Sequence, residues 1–308
     1  MLFIFVLVLA ERFSRGGGRV HHTSPRYREL THYQVRGARR ALCVLACAAP
    51  VTLGFIVPAA MLARWSWRTA PSMLDGEFLA NAFNSFVLAA VAALLAVAVA
   101  IVIAYGQRLR PTRLIAVAAR LSAMGYAVPG AVIAVGVLIP FAWLDGAIND
   151  ATRELFGVEP GLLLSGTIVA VTFAYVVRFL AVSLNTVEAS LGKITPHMDD
   201  AARTLGLRPR QSLFRVHLPI MGGSLLTAAL LVFVDVMKEL PATLILRPFN
   251  FDTLAIRTYQ LASDERLADS SSPALAIVLV GIIPVILLSL AIARSRPGTS
   301  ATRENGLS

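Results

Sequence analysis

Six long apolar segments, separated by short polar connections, dominate the pattern of this chain. They lie at about residues 41–63, 78–105, 114–144, 161–185, 219–247 and 273–293. A helix needs about 20 apolar residues to cross the hydrocarbon core of a bilayer, and each segment reaches that length. The third and fifth segments run longer, so tilt, kinks or helical ends outside the bilayer are expected. The pattern predicts an all-α integral membrane protein with six full transmembrane helices.

The composition leads to the same fold class and also orients the spans. Hydrophobic residues make up 56% of the chain, charged residues 15%, and the mean hydropathy is +0.70, which a soluble chain could not bury. The N-terminal stretch, two alternate connections and the C-terminal tail hold 19 Lys and Arg residues, against 5 in the other connections. Basic loops stay on the cytoplasmic side, so both termini are predicted to be cytoplasmic. This retention explains the net charge of +10, and nucleic-acid binding is not inferred.

The two ends of the chain read as segments outside the bundle. Residues 1–9 are apolar but would span only about 14 Å as a helix, which is too short to cross a membrane. Residues 10–40 are polar and rich in Gly, Arg and His, which suits a cytoplasmic linker. Residues 294–308 are predicted to form a cytoplasmic tail.

The connection between the fourth and fifth spans carries the signals of a short helix. Thr195 and Pro196 stand where an N-cap and a first helical residue are preferred. Asp199 and Asp200 follow near the positive end of the helix dipole. Gly206 fits the left-handed position just past a helix end, so the predicted helix is about ten residues long.

One face of this helix combines Met198, Ala201, Ala202 and Leu205. The small alanine side chains would let that face enter a groove of a partner protein. The same spacing suits a helix that lies on its own bundle, and spacing alone does not decide between the two.

A longer motif surrounds this helix and resembles a known family. Asp200-Ala201-Ala202-Arg203-Thr204-Leu205-Gly206 is followed after nine residues by Val216-His217-Leu218-Pro219. The pattern resembles the EAA loop of type I, MetI-like permeases of binding-protein-dependent ABC importers, with Asp in place of the usual Glu and Val in place of the usual Ile. Segments 235–243 and 246–254 resemble the ferric-ion transport permease subfamily, and the chain looks like the C-terminal half of such a permease.

This resemblance implies a type I ABC-importer permease domain over 41–293, with an EAA-like loop at 186–219 that contains a cytoplasmic coupling helix. Residues 1–9 would be the end of a truncated upstream helix. The implied partners are an ABC ATPase dimer, a second permease half, a periplasmic substrate-binding protein and membrane lipid. The implied ATPase-coupling residues are Asp200, Ala201, Ala202, Leu205, Gly206, Val216, Leu218 and Pro219.

The resemblance also implies a multi-pass protein of the bacterial inner membrane that imports ferric iron, and it leaves thiamine, polyamine, sulfate and phosphonate as alternative substrates. The chain has no Walker A pattern, so ATP and Mg²⁺ would be used by the partner ATPase and this chain would bind no cofactor. It is therefore predicted to be a permease subunit and not an enzyme. A secondary transporter, a channel and a membrane scaffold are the rival classes.

Ionisable residues inside spans are costly and often functional. Asp235, Lys238 and Glu239 lie toward the periplasmic mouth of the fifth span, where Asp235 faces both of the others on a helix. Lys238 would neutralise one carboxylate and leave one negative charge for a cation, and Pro241 would kink or open the helix beyond them. The cluster is thus a candidate translocation path or gate. A salt-bridged gate or an interfacial cap, without ligand contact, is the other interpretation.

Two further groups are interpreted as structural. Arg178 is predicted to snorkel to the cytoplasmic interface, at a depth that does not match Glu239, so this pair is not expected. Cys43 and Cys47 are one turn apart and lack a nearby His or acid, so lipid-facing or packed thiols are expected rather than a metal site.

Polar residues near the periplasmic side complete the candidates. Asn81 and Asn84 share a helix face and are expected to hydrogen-bond a neighbouring segment. A short helix is predicted after Asp252, with Leu254, Thr258 and Leu261 on one side.

Overall fold

The structure is a computed structural model that describes residues 36–295. The apolar segment 1–9, the predicted linker up to residue 35 and the tail beyond residue 295 lie outside the described residues. The linker was predicted to extend to residue 40, but the first helix already begins at Ala38.

The chain divides into two compact units, Met1–Ala60 and Met61–Ser308. In the described part of the first unit, α1 (Ala38–Val51) leads into a π-helical turn at Thr52–Ile56 and then into the start of α2 (Val57–Met73). Every regular element within residues 36–295 is helical.

The second unit holds the remaining helices. They are α3 (Gly76–Leu109), α4 (Arg113–Ser122), α5 (Gly130–Phe156), α6 (Ile168–Leu191), α7 (Pro196–Thr204), α8 (Pro209–Ser212), α9 (Leu218–Met237), α10 (Pro241–Leu246), α11 (Leu254–Ser263) and α12 (Leu267–Ser295). Short 3₁₀ and π segments at Ala123–Ala127 and Leu213–His217 precede α5 and α9.

Six helical stretches are long and apolar enough to cross a membrane, as the hydropathy pattern predicted. They are Ala38–Met73, Gly76–Leu109, Gly130–Phe156, Ile168–Leu191, Pro209–Met237 and Leu267–Leu287. The predicted all-α membrane fold with six spans is therefore confirmed.

Helices α3, α6 and α9 pack on one another at the centre of the second unit. The buried face of α3 is lined by alanines, which allow neighbouring helices to approach closely. These are Ala89, Ala92, Ala93, Ala96 and Ala100. Where α3 meets α6, the Ser183 hydroxyl donates to the backbone oxygen of Ala96 at 3.1 Å, so this buried hydroxyl is satisfied without water.

The third predicted segment, 114–144, is divided, in agreement with the kinks or outlying helical ends expected from its length. The chain forms α4, turns through the 3₁₀ segment, and begins the spanning helix α5 at Gly130. Pro129 precedes α5 and cannot donate a backbone hydrogen bond to a continuous helix. Gly125 allows a close backbone approach, because a Cβ there would lie 2.1 Å from the backbone oxygen of Val177.

The fifth predicted span, 219–247, is interrupted as Pro241 led us to expect. Helix α9 ends at Met237, and α10 starts at Pro241, which occupies an N-terminal helical position. The other end of this span was placed too late, since helical structure already begins at Pro209. The fourth span was placed too early, because α6 begins only at Ile168, after Gly161 and Gly166 adopt positive φ angles of 80° and 69°.

The two ends of the bundle carry different connections. The end of α3, the end of α6, α7 and α8 meet at one end, called here the α7 end. The start of α3 and α11 meet at the opposite end, where the Ser85 hydroxyl accepts a hydrogen bond from Leu254 N.

Candidate functional site

The short helix predicted in the connection between the fourth and fifth spans is present as α7. Thr195 has extended backbone angles at the N-cap, although its side chain makes no capping hydrogen bond, and Pro196 is the first helical residue. The helix closes at Leu205 with Gly206 at φ 78°. Leu207 N donates to Ala202 O at 3.0 Å, which completes a Schellman-type end.

The predicted apolar face of α7 is divided in the structure. Ala202 is buried at 4% exposure and packs inward, whereas Met198 and Leu205 are 44% and 81% exposed. Ala201 is also exposed. Adjacent helical positions differ by about 100° in direction, so Ala201 and Ala202 point to different sides. Ala202 is thus not available to a partner, and α7 both lies on its own bundle and presents an outer surface.

Asp200 belongs to that outer surface. Its carboxylate is 65% exposed and lies 3.7 Å from Arg203 Nη1, a separation typical of a weak surface pair. The neighbouring Asp199 points inward and contacts Arg108 and His217.

The Val-x-Leu-Pro part of the motif lies where the π segment joins α9. Val216 and Leu218 are half-buried and Pro219 is exposed. The fully buried residue of this motif is His217, at 0% exposure. The sequence did not predict it as a site residue, because it occupies the variable position of the motif. Its ring stacks edge-on against Tyr105, with centroids 5.4 Å apart.

The predicted acidic cluster of the fifth span separates into two ion pairs. Lys238 Nζ lies 2.9 Å from Asp235 Oδ1, as the helical spacing predicted. Glu239 instead turns into the bundle, where it is 7% exposed and lies 3.4 Å from Arg178 Nε. The expectation that Arg178 and Glu239 differ in depth is wrong, because α6 continues to Leu191 and places Arg178 thirteen residues from its end, in the middle of the span.

This pairing removes the net negative charge on which the cation argument depended. Asp235 and Glu239 are balanced by Lys238 and Arg178, so the four groups sum to zero formal charge. Among residues 36–295, no group of three or more His, Cys, Asp and Glu side chains is arranged to hold a metal ion.

Glu239 also organises the interruption between α9 and α10. Its Oε1 accepts a hydrogen bond from Ala242 N at 3.2 Å, and its backbone oxygen accepts one from the Thr243 hydroxyl at 2.8 Å. The hydroxyls of Thr243 and Tyr175 are in hydrogen-bond contact. The polar groups freed by the break are therefore satisfied inside the bundle.

The first interruption, before α5, meets the second at Arg178. Arg178 Nη1 lies 3.4 Å from Val128 O. A Cβ at Gly130 would lie 2.4 Å from Arg178 Nη1 and 2.5 Å from Glu239 Oε1. Only glycine leaves room at the start of α5 for the ion pair.

Asp235 and Lys238 border a cavity of about 450 Å³ between α6, α9 and α12. Asn185 and Tyr126 add polar groups to walls that are otherwise mainly apolar. A space of this size is within the range of small-molecule sites, and the salt-bridged pair gives it both signs of charge.

The polar residues predicted at the opposite end serve packing. Asn84 Nδ2 donates to Asp252 O at 3.1 Å, as expected for a bond to a neighbouring segment. The expectation is wrong for Asn81, whose buried Nδ2 has no hydrogen-bond partner among the described residues and whose backbone oxygen accepts from Ser85 of the same helix. The helix predicted after Asp252 is present as α11, with Leu254 and Leu261 buried. Cys43 and Cys47 are exposed free thiols in the first unit.

Comparison with known proteins identifies the class of this bundle. Residues 96–299 match the family of binding-protein-dependent transport system inner membrane components. The Fe(3+)-transport system permease protein FbpB 2 of Haemophilus influenzae is 27% identical over 294 residues, which are 94% of this chain and 54% of that protein. A second relative is the "Putative 2-aminoethylphosphonate transport system permease protein PhnV" of Salmonella typhimurium. It is 27% identical over 164 residues, which are 53% of this chain and 55% of that protein.

Solved structures share the fold. A bacterial ABC transporter that imports the acidic polysaccharide alginate has a chain that aligns with a TM-score of 0.62 at 12% identity, covering 83% of this chain and 95% of that one. The alginate transporter in complex with its pentasaccharide-bound periplasmic protein aligns with a TM-score of 0.61 at 13% identity, with the same coverage of both chains. The match to the curated relatives takes in about half of their length. Because the family match covers more than half of its residues, this chain belongs to the binding-protein-dependent ABC transporter inner membrane permeases, and is a transport component rather than an enzyme.

Proposed function

We propose that this permease imports ferric iron, received from a periplasmic binding protein and driven by an ABC ATPase that contacts α7. The ATPase would supply the ATP and Mg²⁺ sites, and a second permease half would complete the pathway. The observation that carries the iron assignment is the extent of similarity, since the Fe(3+) permease relative aligns over 94% of this chain and the phosphonate relative over 53%.

The proposed coupling surface is the outer side of α7. Asp200, Ala201, Leu205 and Gly206 are exposed there, while Ala202 secures the inner side. A partner that binds the exposed outer surface of such a short helix can displace it. The buried inner surface then transmits this displacement to the helices of the bundle. The excess of basic residues on this side of the spans supports a cytoplasmic position for α7 and for both termini.

The opposite end would then be periplasmic and would receive the binding protein. Phe249 is fully exposed there, next to Asn250 at a positive φ of 59°. The adjoining chain is held by the ion pair of Arg247 with Asp252 and by the pair of Arg257 with Glu77 at 3.2 Å. An exposed aromatic side chain on an anchored loop is suited to a protein contact.

The ion would pass through without a full ligand set. A complete set of carboxylate and imidazole ligands would hold ferric iron tightly and slow its release, and the described residues contain no such group. We propose that the passing ion contacts Asp235 and Lys238, which are paired at the cavity. Glu239 would not contact the ion and would act through its pair with Arg178.

A phosphonate substrate is the second candidate, favoured by one observation. The cavity presents the Asp235 carboxylate and the Lys238 ammonium together, with Asn185 beside them. A small zwitterion such as 2-aminoethylphosphonate carries an ammonium group that complements the carboxylate of Asp235 and a phosphonate group that complements the ammonium of Lys238. The cavity of about 450 Å³ is large enough for it.

Uptake by proteoliposomes separates these substrates. The chain would be reconstituted with its companion subunits and binding protein, with ATP enclosed, and supplied with radioactive ferric citrate or radioactive 2-aminoethylphosphonate. Iron accumulation that requires both ATP and the binding protein supports the iron proposal. Phosphonate accumulation without iron accumulation contradicts the iron proposal and supports the phosphonate substrate. Uptake that does not require ATP but depends on a proton gradient contradicts the ATP-driven importer mechanism.

A further inference from the structure

On the inner side of α7, one carboxylate contacts two of the spans. Asp199 Oδ2 lies 2.7 Å from Arg108 Nη2 and 2.8 Å from Arg108 Nε, at the end of α3. Asp199 Oδ1 lies 2.8 Å from His217 Nε2, in the π segment that leads into α9. One side chain of α7 therefore contacts two membrane-spanning stretches.

Arg108 extends the same connection to a third span. Its Nη1 donates to Leu191 O at 2.8 Å and its Nη2 donates to Ile194 O at 2.9 Å. These carbonyl groups belong to the end of α6 and the turn after it, where the helix dipole gives carbonyl groups a partial negative charge. The guanidinium thus binds α6 and Asp199 at the same time.

Tyr105 fixes the other side of the connection. It precedes Arg108 by three residues and lies on the same face of α3. Its hydroxyl donates to Pro209 O at 2.6 Å, and its ring contacts the buried His217. The segment from Pro209 to His217 is therefore held at both ends by α3.

The quality of these contacts differs from that of the outer pair. Arg108 and Asp199 are 18% and 21% exposed, whereas Arg203 and Asp200 are 68% and 65% exposed at a longer distance. Partly buried, charge-assisted hydrogen bonds are strong and geometrically specific, and exposed pairs contribute little. Asp200 and Arg203 both belong to α7, so their pair does not attach the helix to the spans, whereas the Asp199 contact does.

We propose that Asp199 is the positioning residue through which displacement of α7 is passed to α3, α6 and α9, while the neighbouring Asp200 faces the ATPase. This proposal rests on the coupling role of α7 proposed above. It divides two adjacent acids into two tasks: Asp199 transmits motion within the chain, and Asp200 recognises the partner.

Asp199→Asn tests this division in the reconstituted transporter. Substrate uptake and ATP hydrolysis are measured on the same vesicles, and the amount of ATPase that co-purifies with the permease is measured beside them. We expect the ATPase to remain bound and to hydrolyse ATP, while the substrate transported per ATP falls about tenfold, because a partly buried charged hydrogen bond is lost. Asp199→Glu, which keeps the charge, should restore most of this ratio.

Asp264→Asn is the matched control, and Asp200→Asn is the comparison variant on the side that faces the ATPase. Asp200→Asn should reduce co-purification of the ATPase and leave the ratio of transport to hydrolysis in the remaining complexes unchanged. Asp264 is exposed near the opposite end, and its change should affect neither quantity. An unchanged transport ratio in Asp199→Asn overturns the proposal, as does a parallel fall of uptake, hydrolysis and assembly that Asp199→Glu does not repair.

A distance measurement distinguishes this proposal from the proposed function itself. Spin labels at His197 and Leu109, both exposed and outside the proposed ATPase contact, report the separation of α7 and α3 during ATP turnover. The native chain should keep that distance fixed, and Asp199→Asn should let it vary. A distance that already varies in the native chain overturns the transmission role but leaves coupling through α7 intact. Normal transport after disruption of the outer surface of α7 would remove the coupling proposal instead.

Discussion

The carboxylate of Glu239 lies 3.4 Å from Arg178 Nε at the place where the two interrupted spans of this permease meet. Glu239 sits in the break between α9 and α10, and Arg178 also contacts Val128 O in the break before α5. Both residues are in the middle of the bundle. The pair therefore connects the two helix interruptions, before α5 and between α9 and α10, to α6.

Removal of either member of this pair should destabilise the permease. Arg178→Met or Glu239→Gln leaves the other charge buried without its partner, at a cost of about 3 kcal/mol in the free energy of unfolding. The double variant should recover more than half of the loss, because no unpaired charge remains and Gln can still accept from Ala242 N. Thermal unfolding in detergent provides the measurement, and simple addition of the two single effects would contradict the pairing.

A side chain at Gly130 should disturb the same pair from the α5 side. Gly130→Ala places a Cβ within 2.5 Å of both charged groups and should cost about 1–3 kcal/mol of stability. Gly136 lies in the same helix with open space around it, so Gly136→Ala should be neutral or should stabilise the helix by up to about 1 kcal/mol. Unfolding curves that do not distinguish the two variants would refute the close packing at Gly130.

The connection between α5 and α6 depends on Asp145. This carboxylate is 1% exposed and accepts hydrogen bonds from the backbone amides of Leu163, Leu164 and Ser165 and from the Ser165 hydroxyl. Asp145→Asn weakens these bonds, and hydrogen exchange at the three amides should become at least about tenfold faster.

Asp150→Asn is the control for this change, since Asp150 is exposed on the same helix. It should leave amide exchange in the connection as it is in the native protein. Equal exchange in the Asp145→Asn variant and the native protein would show that this carboxylate does not hold the loop.

The proposed orientation has a direct chemical test. After replacement of Cys43 and Cys47 by serine, a single cysteine is placed at Phe249 or at Leu205, both strongly exposed. A membrane-impermeant thiol reagent added to spheroplasts should label the Phe249→Cys variant at once. The Leu205→Cys variant should react only after the membrane is permeabilised, and the reverse pattern would invert the topology.

Local signals in the sequence predicted much of this structure. Apolar segments of at least about 20 residues gave the six spans, because burial in a bilayer demands that length. Thr195, Pro196 and Gly206 gave the start and end of α7, since capping preferences act between near neighbours. Pro241 gave the interruption of the fifth span for the same local reason.

The contacts that build the candidate site lie beyond such local rules. Arg108 and Asp199 are 91 residues apart in the chain, and nothing in the spacing of either region joins them. The error at Arg178 arose from the helix end, because hydropathy stops near residue 185 while α6 continues to Leu191. That difference places Arg178 in the middle of α6 and not near its end, where it pairs with Glu239 and balances the remaining negative charge.

The division of α7 into two sides is a further limit of sequence reasoning. Its apolar residues fit one broad stripe, and a stripe does not tell which edge faces the bundle. The packing of Ala202 and the contacts of Asp199 with Arg108 and His217 settle that question, and they leave Asp200 and Leu205 on the outside.

The most direct test of coupling through α7 is ATP-driven uptake by the Asp200→Lys, Gly206→Trp double variant. The matched control is Glu154→Lys, Gly157→Trp, which reverses an exposed acid and fills a left-handed glycine, φ 69°, at the end of α5. At equal membrane levels, we expect the α7 variant to lose binding-protein-dependent uptake and the control to retain it. Native uptake by the α7 variant would contradict the proposed mechanism.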